Sequence, residues 1–293
     1  KTGTLTQNKM TVTEFSGNDR ELLAETMALC NDAEAGEGEE AVGEPTEAAL
    51  VNYASSLGMS KNELKNRYPR VAEAPFDSMR KMMSTVHKKA EGGFIQFTKG
   101  APDEVLKCCI SIWENGSIRP MTEKDRKWIE SENKRMADRA LRVLAGALKE
   151  TAEKPEDTSP AALERDLVFV GLTGMIDPVR PEVKAAIQEC RQAGIRPVMI
   201  TGDHRDTAAA IAMELGIIDS ADQAVTGAEL DDMDEEEFRN RIGNYSVYAR
   251  VQPEHKVRIV QGWQAKGMVT AMTGDGVNDA PSIKNADIGV GMG

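Results

Sequence analysis

The stretch that most constrains this chain is Met272-Thr-Gly-Asp-Gly-Val-Asn-Asp-Ala-Pro281, where a short apolar segment runs straight into glycines and carboxylates. Residues 268–272 (Met-Val-Thr-Ala-Met) are β-prone, and Gly274 and Gly276 let the backbone turn sharply after them. Asp275 and Asp279 therefore project from a strand-end loop. In open α/β sheets ligands sit beyond the carboxyl ends of the strands, and two acids with an amide there suit Mg²⁺ held together with phosphate oxygens. A lone Gly-Asp-Gly is more often an Asx-rich turn, so the remaining motifs have to decide.

Upstream of that stretch the chain alternates strand and helix. Leu167–Thr173, Pro197–Ile200, Ser246–Ala249 and Met268–Met272 read as strands, and Pro181–Ala193, His204–Leu215 and Pro253–Lys266 as helices stopped by Gly194, Gly216 and Gly267. A weaker βα pair covers Gln223–Ile242. This rhythm predicts a doubly wound parallel sheet.

The first half is different. Asp19–Asn31 and Pro45–Leu57 are helical in pattern, the second opened by Pro45 and stopped by Gly58, with an acidic loop Glu34–Gly43 between them. Residues 71–76, 80–88 and 93–99 read as strands, the last two joined as a hairpin around Glu91-Gly92-Gly93. Ala101–Cys109 and Thr122–Ala140 look helical, Leu141–Leu148 returns as a strand, and Lys149–Glu164 is a polar loop. Helices on one face of an antiparallel sheet predict an α+β domain.

At 293 residues the chain is long enough for two domains. Forty per cent of residues are hydrophobic and 29 per cent charged, a globular, soluble balance, and a net charge of −12 argues against nucleic acid as a partner. Cys30, Cys108, Cys109 and Cys190 have neither zinc-site nor disulfide-framework spacing, which fits a reducing cytosol. There is no apolar run of 18 or more residues and no signal-peptide pattern.

Four pieces fall at strand ends or helix starts: Asp177-Pro-Val-Arg-Pro181, Thr201-Gly-Asp203, Lys256 and Thr273–Asp279. A hydroxyl such as Thr201 and helix-start amides can hold phosphoryl oxygens, and Lys256 can neutralise developing charge. Taken singly, Asp203 is an N-cap and Lys256 a surface lysine. The opening Lys1-Thr-Gly-Thr-Leu-Thr-Gln-Asn8 is a turn with no preceding strand and reads as cut from something longer.

Together these residues resemble the P-type cation-transporting ATPases. Lys1-Thr-Gly-Thr is similar to the tail of the Asp-Lys-Thr-Gly-Thr phosphorylation motif, and Asp-Pro-x-Arg, Thr-Gly-Asp and Thr-Gly-Asp-Gly-Val-Asn-Asp follow in the family's order. The resemblance implies a haloacid-dehalogenase-like phosphorylation domain (residues 1–8 and 177–293) interrupted by an inserted nucleotide-binding domain (9–176); the two connections between them, near Gln7–Met10 and Met175–Pro181 with Pro178 and Pro181, read as a hinge. It implies that Asp275 and the Thr2 carbonyl bind Mg²⁺. Thr4, Thr201, Gly202, Lys256 and Asn278 would then hold the phosphoryl group, Asp279 would organise the site, and Lys1 and Asp203 would belong to the same catalytic set.

The family's nucleophile is the Asp just before Lys1, which the sequence does not contain, so no phosphoenzyme is expected of the chain as given. A carboxylate nucleophile suits transfer through an acyl phosphate. Where haloacid-dehalogenase phosphatases carry an acid/base Asp, this chain has Thr2, which cannot donate a proton efficiently and would let the phosphoenzyme persist. A soluble phosphatase of that superfamily with a large cap is the alternative.

In the inserted domain, Pro75-Phe-Asp-Ser-Met-Arg-Lys81 resembles the nucleotide-binding strand, with Phe76 stacking on adenine and Lys81 nearby. Lys99-Gly100-Ala resembles the Lys-Gly-Ala pocket motif. Glu47 would face the adenine amino group and Arg142 the ribose or phosphates, with Asp177 and Arg180 also in the ATP-contacting set. Read alone, Phe76 is a core aromatic, Lys99 a solvated strand end, and Met79, Met82 and Met83 strand packing. These motifs look most like calcium pumps, the parent then being a membrane protein with transmembrane and actuator domains and this piece a monomer on the cytoplasmic side.

Overall fold

A computed structural model describes residues 4–36, 40–274 and 279–292. The chain divides into two compact units: Lys9–Ala137 with Leu141–Ile176, and Lys1–Asn8 with Asp138–Ala140 and Asp177–Gly293. Both mix helices and strands.

The first unit runs β1 (Thr11–Gly17), α1 (Arg20–Leu29), β2 (Glu34–Ala35), β3 (Ala41–Val42), α2 (Pro45–Ser56), α3 (Lys61–Arg67), β4 (Arg70–Asp77), β5 (Met82–Lys88) and β6 (Phe94–Gly100). It continues with α4 (Pro102–Cys108), β7 (Cys109–Glu114), β8 (Ser117–Pro120), α5 (Glu123–Asp138), β9 (Arg142–Thr151), α6 (Pro160–Leu163) and β10 (Leu167–Ile176). An eight-stranded sheet has the order β4-β5-β6-β9-β10-β7-β8, with β1 also paired to β10. All its pairs are antiparallel except β10 with β7.

Helices cover both faces of this sheet, not one. Leu23, Met27 and Leu50 of α1 and α2 pack with Phe97, Leu148 and Val170 in one core. On the opposite face Val105, Ile129 and Met136 of α4 and α5 pack with Ala147, Phe169 and Leu172. The period-2 alternation of strand side chains sends Phe169 to one core and Val170 to the other. β10 is therefore buried along nearly its whole length. Its continuous apolar run reads as a strand of the parallel sheet for that reason, yet it lies at the heart of the antiparallel one.

The second unit adds α7 (Val183–Gln192), β11 (Met199–Ile200), α8 (Arg205–Glu214), β12 (Ala224–Thr226), α9 (Gly227–Asp231), α10 (Glu235–Arg241) and β13 (Val247–Ala249). It ends with α11 (Pro253–Ala265), β14 (Ala271–Gly274), α12 (Ala280–Asn285) and β15 (Ile288–Gly291). β11, β13 and β12 form a parallel sheet in that order, covered on one face by α7 and α8 and on the other by α9, α10 and α11. β14 pairs in parallel with β15 in a separate two-stranded sheet. Among the described residues the expected single doubly wound sheet is thus two parallel sheets. β14 also starts later than expected, because Asp287 takes the backbone N–H and hydroxyl of Thr270 and Met268 and Val269 stay exposed.

Candidate functional site

In the second unit, the chain after β11 turns at Thr201, which is 5 % exposed; its hydroxyl accepts the Asp203 N–H at 3.1 Å. The Asp203 carbonyl accepts the Arg250 N–H at 3.0 Å, and the Thr201 carbonyl accepts that of Val251 at 3.3 Å. The ends of β11 and β13 are thereby tied together, with Gly202 in the turn. Asp203 is not the N-cap of α8; His204 occupies that position.

α11 starts at Pro253, and His255 fixes its first turn: Nδ1 accepts the Gln252 N–H, and Nε2 reaches the Asp231 carboxylate, both at 2.8 Å. Because Nδ1 is an acceptor, Nε2 carries the proton. Lys256, one residue on, sends Nζ to Asp279 Oδ1 at 2.5 Å, with only 17 % and 14 % of the two side chains exposed. Lysine from one motif and aspartate from another, 23 residues apart, thus meet at the end of β14.

Gly274 makes room for that pair. A Cβ at Gly274 would lie 2.5 Å from Asp279 Cβ and 2.6 Å from Oδ2, closer than any real contact. Gly274→Ala is therefore expected to push Asp279 off Lys256 and to destabilise the chain by about 1–3 kcal/mol, the usual cost of overpacking. Urea denaturation checks it, and a midpoint equal to wild type would show that Asp279 does not depend on this glycine.

The opening segment is clamped by the Asp-Pro-x-Arg motif. Thr6 is fully buried, its hydroxyl donates to Asp177 Oδ2 at 2.5 Å, and Arg180 Nε donates to the Thr6 carbonyl at 3.2 Å. Backbone bonds Gln7 N–H to Pro178 and Arg180 N–H to Leu5 complete the clamp. Asp177 and Arg180 thus hold the segment that carries Thr4, a partnership 171 residues apart that spacing could not reveal. Lys1, Thr2, Asp275 and Asn278 lie outside the described residues. Among the described residues no group of three or more His, Cys, Asp or Glu is placed to hold a metal ion. A cavity of about 840 Å³ opens beside Arg191, Arg196, Arg241 and Ser246, at the N-terminal edge of the three-stranded sheet, and none of the residues named above lines it.

In the first unit, Phe76 is 63 % exposed at the end of β4, which overturns its reading as a core aromatic. Asp77 Oδ1 accepts the N–H groups of Met79 and Arg80 at 2.8 and 3.0 Å, and these bonds, Arg80's first, hold its carboxyl below the usual range. This Asx turn sends Met79 out to solvent at 87 % exposure, against its expected packing with the buried Met82 and Met83. Lys81 is exposed with φ of 55°, and its carbonyl accepts the Ala101 N–H at 2.9 Å. Gly100 faces Met82 across the ladder, where a Cβ would lie 2.4 Å from Met82 Cβ.

Lys99 is 6 % exposed, so it is not a solvated strand end, and its Nζ meets Glu47 Oε1 at 2.5 Å. Arg142 Nη1 donates to the Thr46 hydroxyl at 2.6 Å. β6, β9 and the first turn of α2 thus bring together Lys99, Glu47 and Arg142, three residues singled out from sequence. Other residues brace this region and have no signal in the local sequence. Arg80 is paired with Glu164 and donates to the Pro75 carbonyl at 2.7 Å, bracing the strand that carries Phe76. Asn31, Lys61 and Arg70 gather around the end of α1. The four cysteines are free, and burial raises the thiols of Cys30, Cys108 and Cys109, which makes them poor nucleophiles.

Fold and contacts define a two-unit α/β protein with a charged, partly buried cluster in each unit. A family model for the P-type ATPase cytoplasmic domain N matches residues 19–182, and the chain belongs to that family. Over its whole length it is 49 % identical to calcium-transporting ATPase 1 of Bacillus cereus, covering 34 % of that protein. It is 44 % identical to calcium-transporting ATPase 1 of Lactococcus lactis, covering 35 %, and 42 % identical to a probable cation-transporting P-type ATPase of Mycoplasma pneumoniae, covering 31 %. The chain spans about a third of the length of these relatives.

Proposed function

We propose that this chain is the nucleotide-binding and phosphorylation portion of an ATP-driven cation pump, with calcium as the transported ion. The ion rests on the names of the relatives. The second unit is read as a haloacid-dehalogenase-like phosphorylation domain. No helix among the described residues is long and apolar enough to cross a membrane, so in this reading the ion path belongs to other parts of the parent protein.

The reaction is phosphoryl transfer. A carboxylate oxygen of an Asp just before Lys1 attacks the γ-phosphorus of ATP, the bond from that phosphorus to the bridging oxygen breaks, and ADP leaves; water later hydrolyses the acyl phosphate. The observation that carries this reading is the Lys256–Asp279 pair beyond the end of β14, a cation held ready by a carboxylate where transition-state charge needs neutralising. Thr201 and Gly202, in the turn after β11, would contact the transferring oxygens. Mg²⁺, held by Asp275 and the Thr2 carbonyl, would supply charge neutralisation on the phosphates.

The first unit would seat the nucleotide, with the exposed Phe76 ring on the purine and Lys99, Glu47 and Arg142 around it. Base–aromatic stacking is worth about 1–3 kcal/mol, so Phe76→Ala is expected to weaken ATP binding about tenfold or more in calorimetric titration. Equal affinity for both proteins would place the nucleotide elsewhere.

A further inference from the structure

Glu47 stands at the third position of α2, where a glutamate ordinarily folds back onto the N–H of its own helix cap. Here Glu44 is the cap and takes the Glu47 N–H at 3.1 Å, while the Glu47 carboxylate turns away. Its Oε2 accepts the Asp32 N–H at 3.1 Å and its Oε1 meets Lys99. The direction of this carboxylate is therefore set by the chain that follows α1.

That chain is held by Asn31, which is 1 % exposed. Its Nδ2 donates to the Glu47 carbonyl at 2.9 Å and to the Met27 carbonyl at 3.2 Å, and its Oδ1 accepts the Ala33 N–H at 2.8 Å. Both side-chain donors and the acceptor are thus engaged. The Asn31 carbonyl in turn accepts Lys61 Nζ at 2.9 Å and Arg70 Nη2 at 2.7 Å. Arg70 Nη1 also reaches Asp32 Oδ1 at 2.7 Å. Two cations and a carboxamide fix three consecutive residues whose outward result is one N–H aimed at Glu47.

We propose that Asn31 is a positioning residue for base recognition: through the Glu47 backbone and the Asp32 N–H it orients the Glu47 carboxylate so that adenine is preferred over guanine. The proposal rests on the reading that Glu47 faces the exocyclic amine of the base. A carboxylate accepts from the adenine amino group but repels the oxygen that guanine carries at the same ring position. Asn31 touches no nucleotide and acts only through Glu47.

The test uses this chain and calorimetric titration with ATP and GTP. Asn31→Ala is expected to lower ATP affinity about tenfold while leaving GTP affinity within twofold, so that base preference collapses. Phe76→Ala serves as the contrast, because stacking tolerates any base and its loss lowers both affinities together. In the double variant Asn31→Ala/Glu47→Gln, the ATP-to-GTP ratio should be no lower than in Glu47→Gln alone, since residues acting through one another are non-additive.

Parallel loss of ATP and GTP binding in Asn31→Ala, or additive effects in the double variant, would reduce Asn31 to a packing residue and overturn the proposal. If Asn31→Ala does not fold, amide shifts of the wild-type protein decide: ATP should move the Asn31 side-chain and Asp32 N–H resonances more than GTP does, and equal shifts overturn the idea. Failure of wild type to bind either nucleotide would instead overturn the reading of the first unit as a nucleotide site.

Discussion

Lys256→Met is expected to cut phosphoenzyme formation in the full-length parent by about 10²–10³-fold, the size of effect seen when one preorganised charge-stabilising group is removed. The same change should destabilise the chain, because Asp279 keeps only 14 % of its side chain exposed and loses the cation 2.5 Å away. Stranding one member of a buried pair costs about 3–5 kcal/mol, and this pair, which is not wholly buried, should give about 2–3 kcal/mol.

Stability and chemistry can be separated by pairing the change with Asp279→Asn. If Lys256 serves only to satisfy Asp279, the double variant matches Asp279→Asn alone in both the urea midpoint and the acid-stable, hydroxylamine-sensitive label from γ-labelled ATP. If Lys256 neutralises charge on the transferring group, the midpoint recovers and the label stays well below that of Asp279→Asn alone. A match in both would remove Lys256 from the catalytic set.

The residues that could be read from sequence are those whose chemistry is displayed locally. Pro45 and Gly58 bracket α2, and the strand-end glycines mark β14 and the turn after β11. The β7–β8 hairpin also carries a local signal, although no element is expected over 110–121: Asn115 and Gly116 have φ of 50° and 81°, the paired positive values of a tight hairpin turn, between alternating apolar residues.

Partnerships across the fold were not legible. Nothing in the neighbourhood of Asp177 names Thr6, and Asn31 reads as an ordinary helix stop until Glu47 is seen above it. β10 shows the same limit for topology. An apolar run tells that both faces of a strand are covered, but not whether its neighbours run parallel or antiparallel.

His87 should make the chain acid-sensitive. It is 1 % exposed on β5, with Nδ1 2.8 Å from the Tyr68 carbonyl and Nε2 2.8 Å from the Thr85 hydroxyl. A carbonyl can only accept, so Nδ1 carries the proton and Nε2 accepts from Thr85, an arrangement that uses the neutral ring fully. Burial, and then the nearby Arg70 and Lys61, push the imidazole down to about 4, against the Tyr68 carbonyl, which favours protonation.

Below its ordinary value near 6.5 the unfolded chain binds a proton that the folded chain refuses, so folding stability falls as the solution is acidified from there toward pH 4 and is fully present above it. At pH 4.5 the loss from this one residue is about 2–3 kcal/mol. Urea unfolding of wild type and His87→Gln at pH 7.5 and 4.5 isolates it from the titrating carboxylates common to both proteins. Wild type should lose about 2–3 kcal/mol more than the variant over that interval, and parallel losses would show that His87 is protonated in the folded state at little cost.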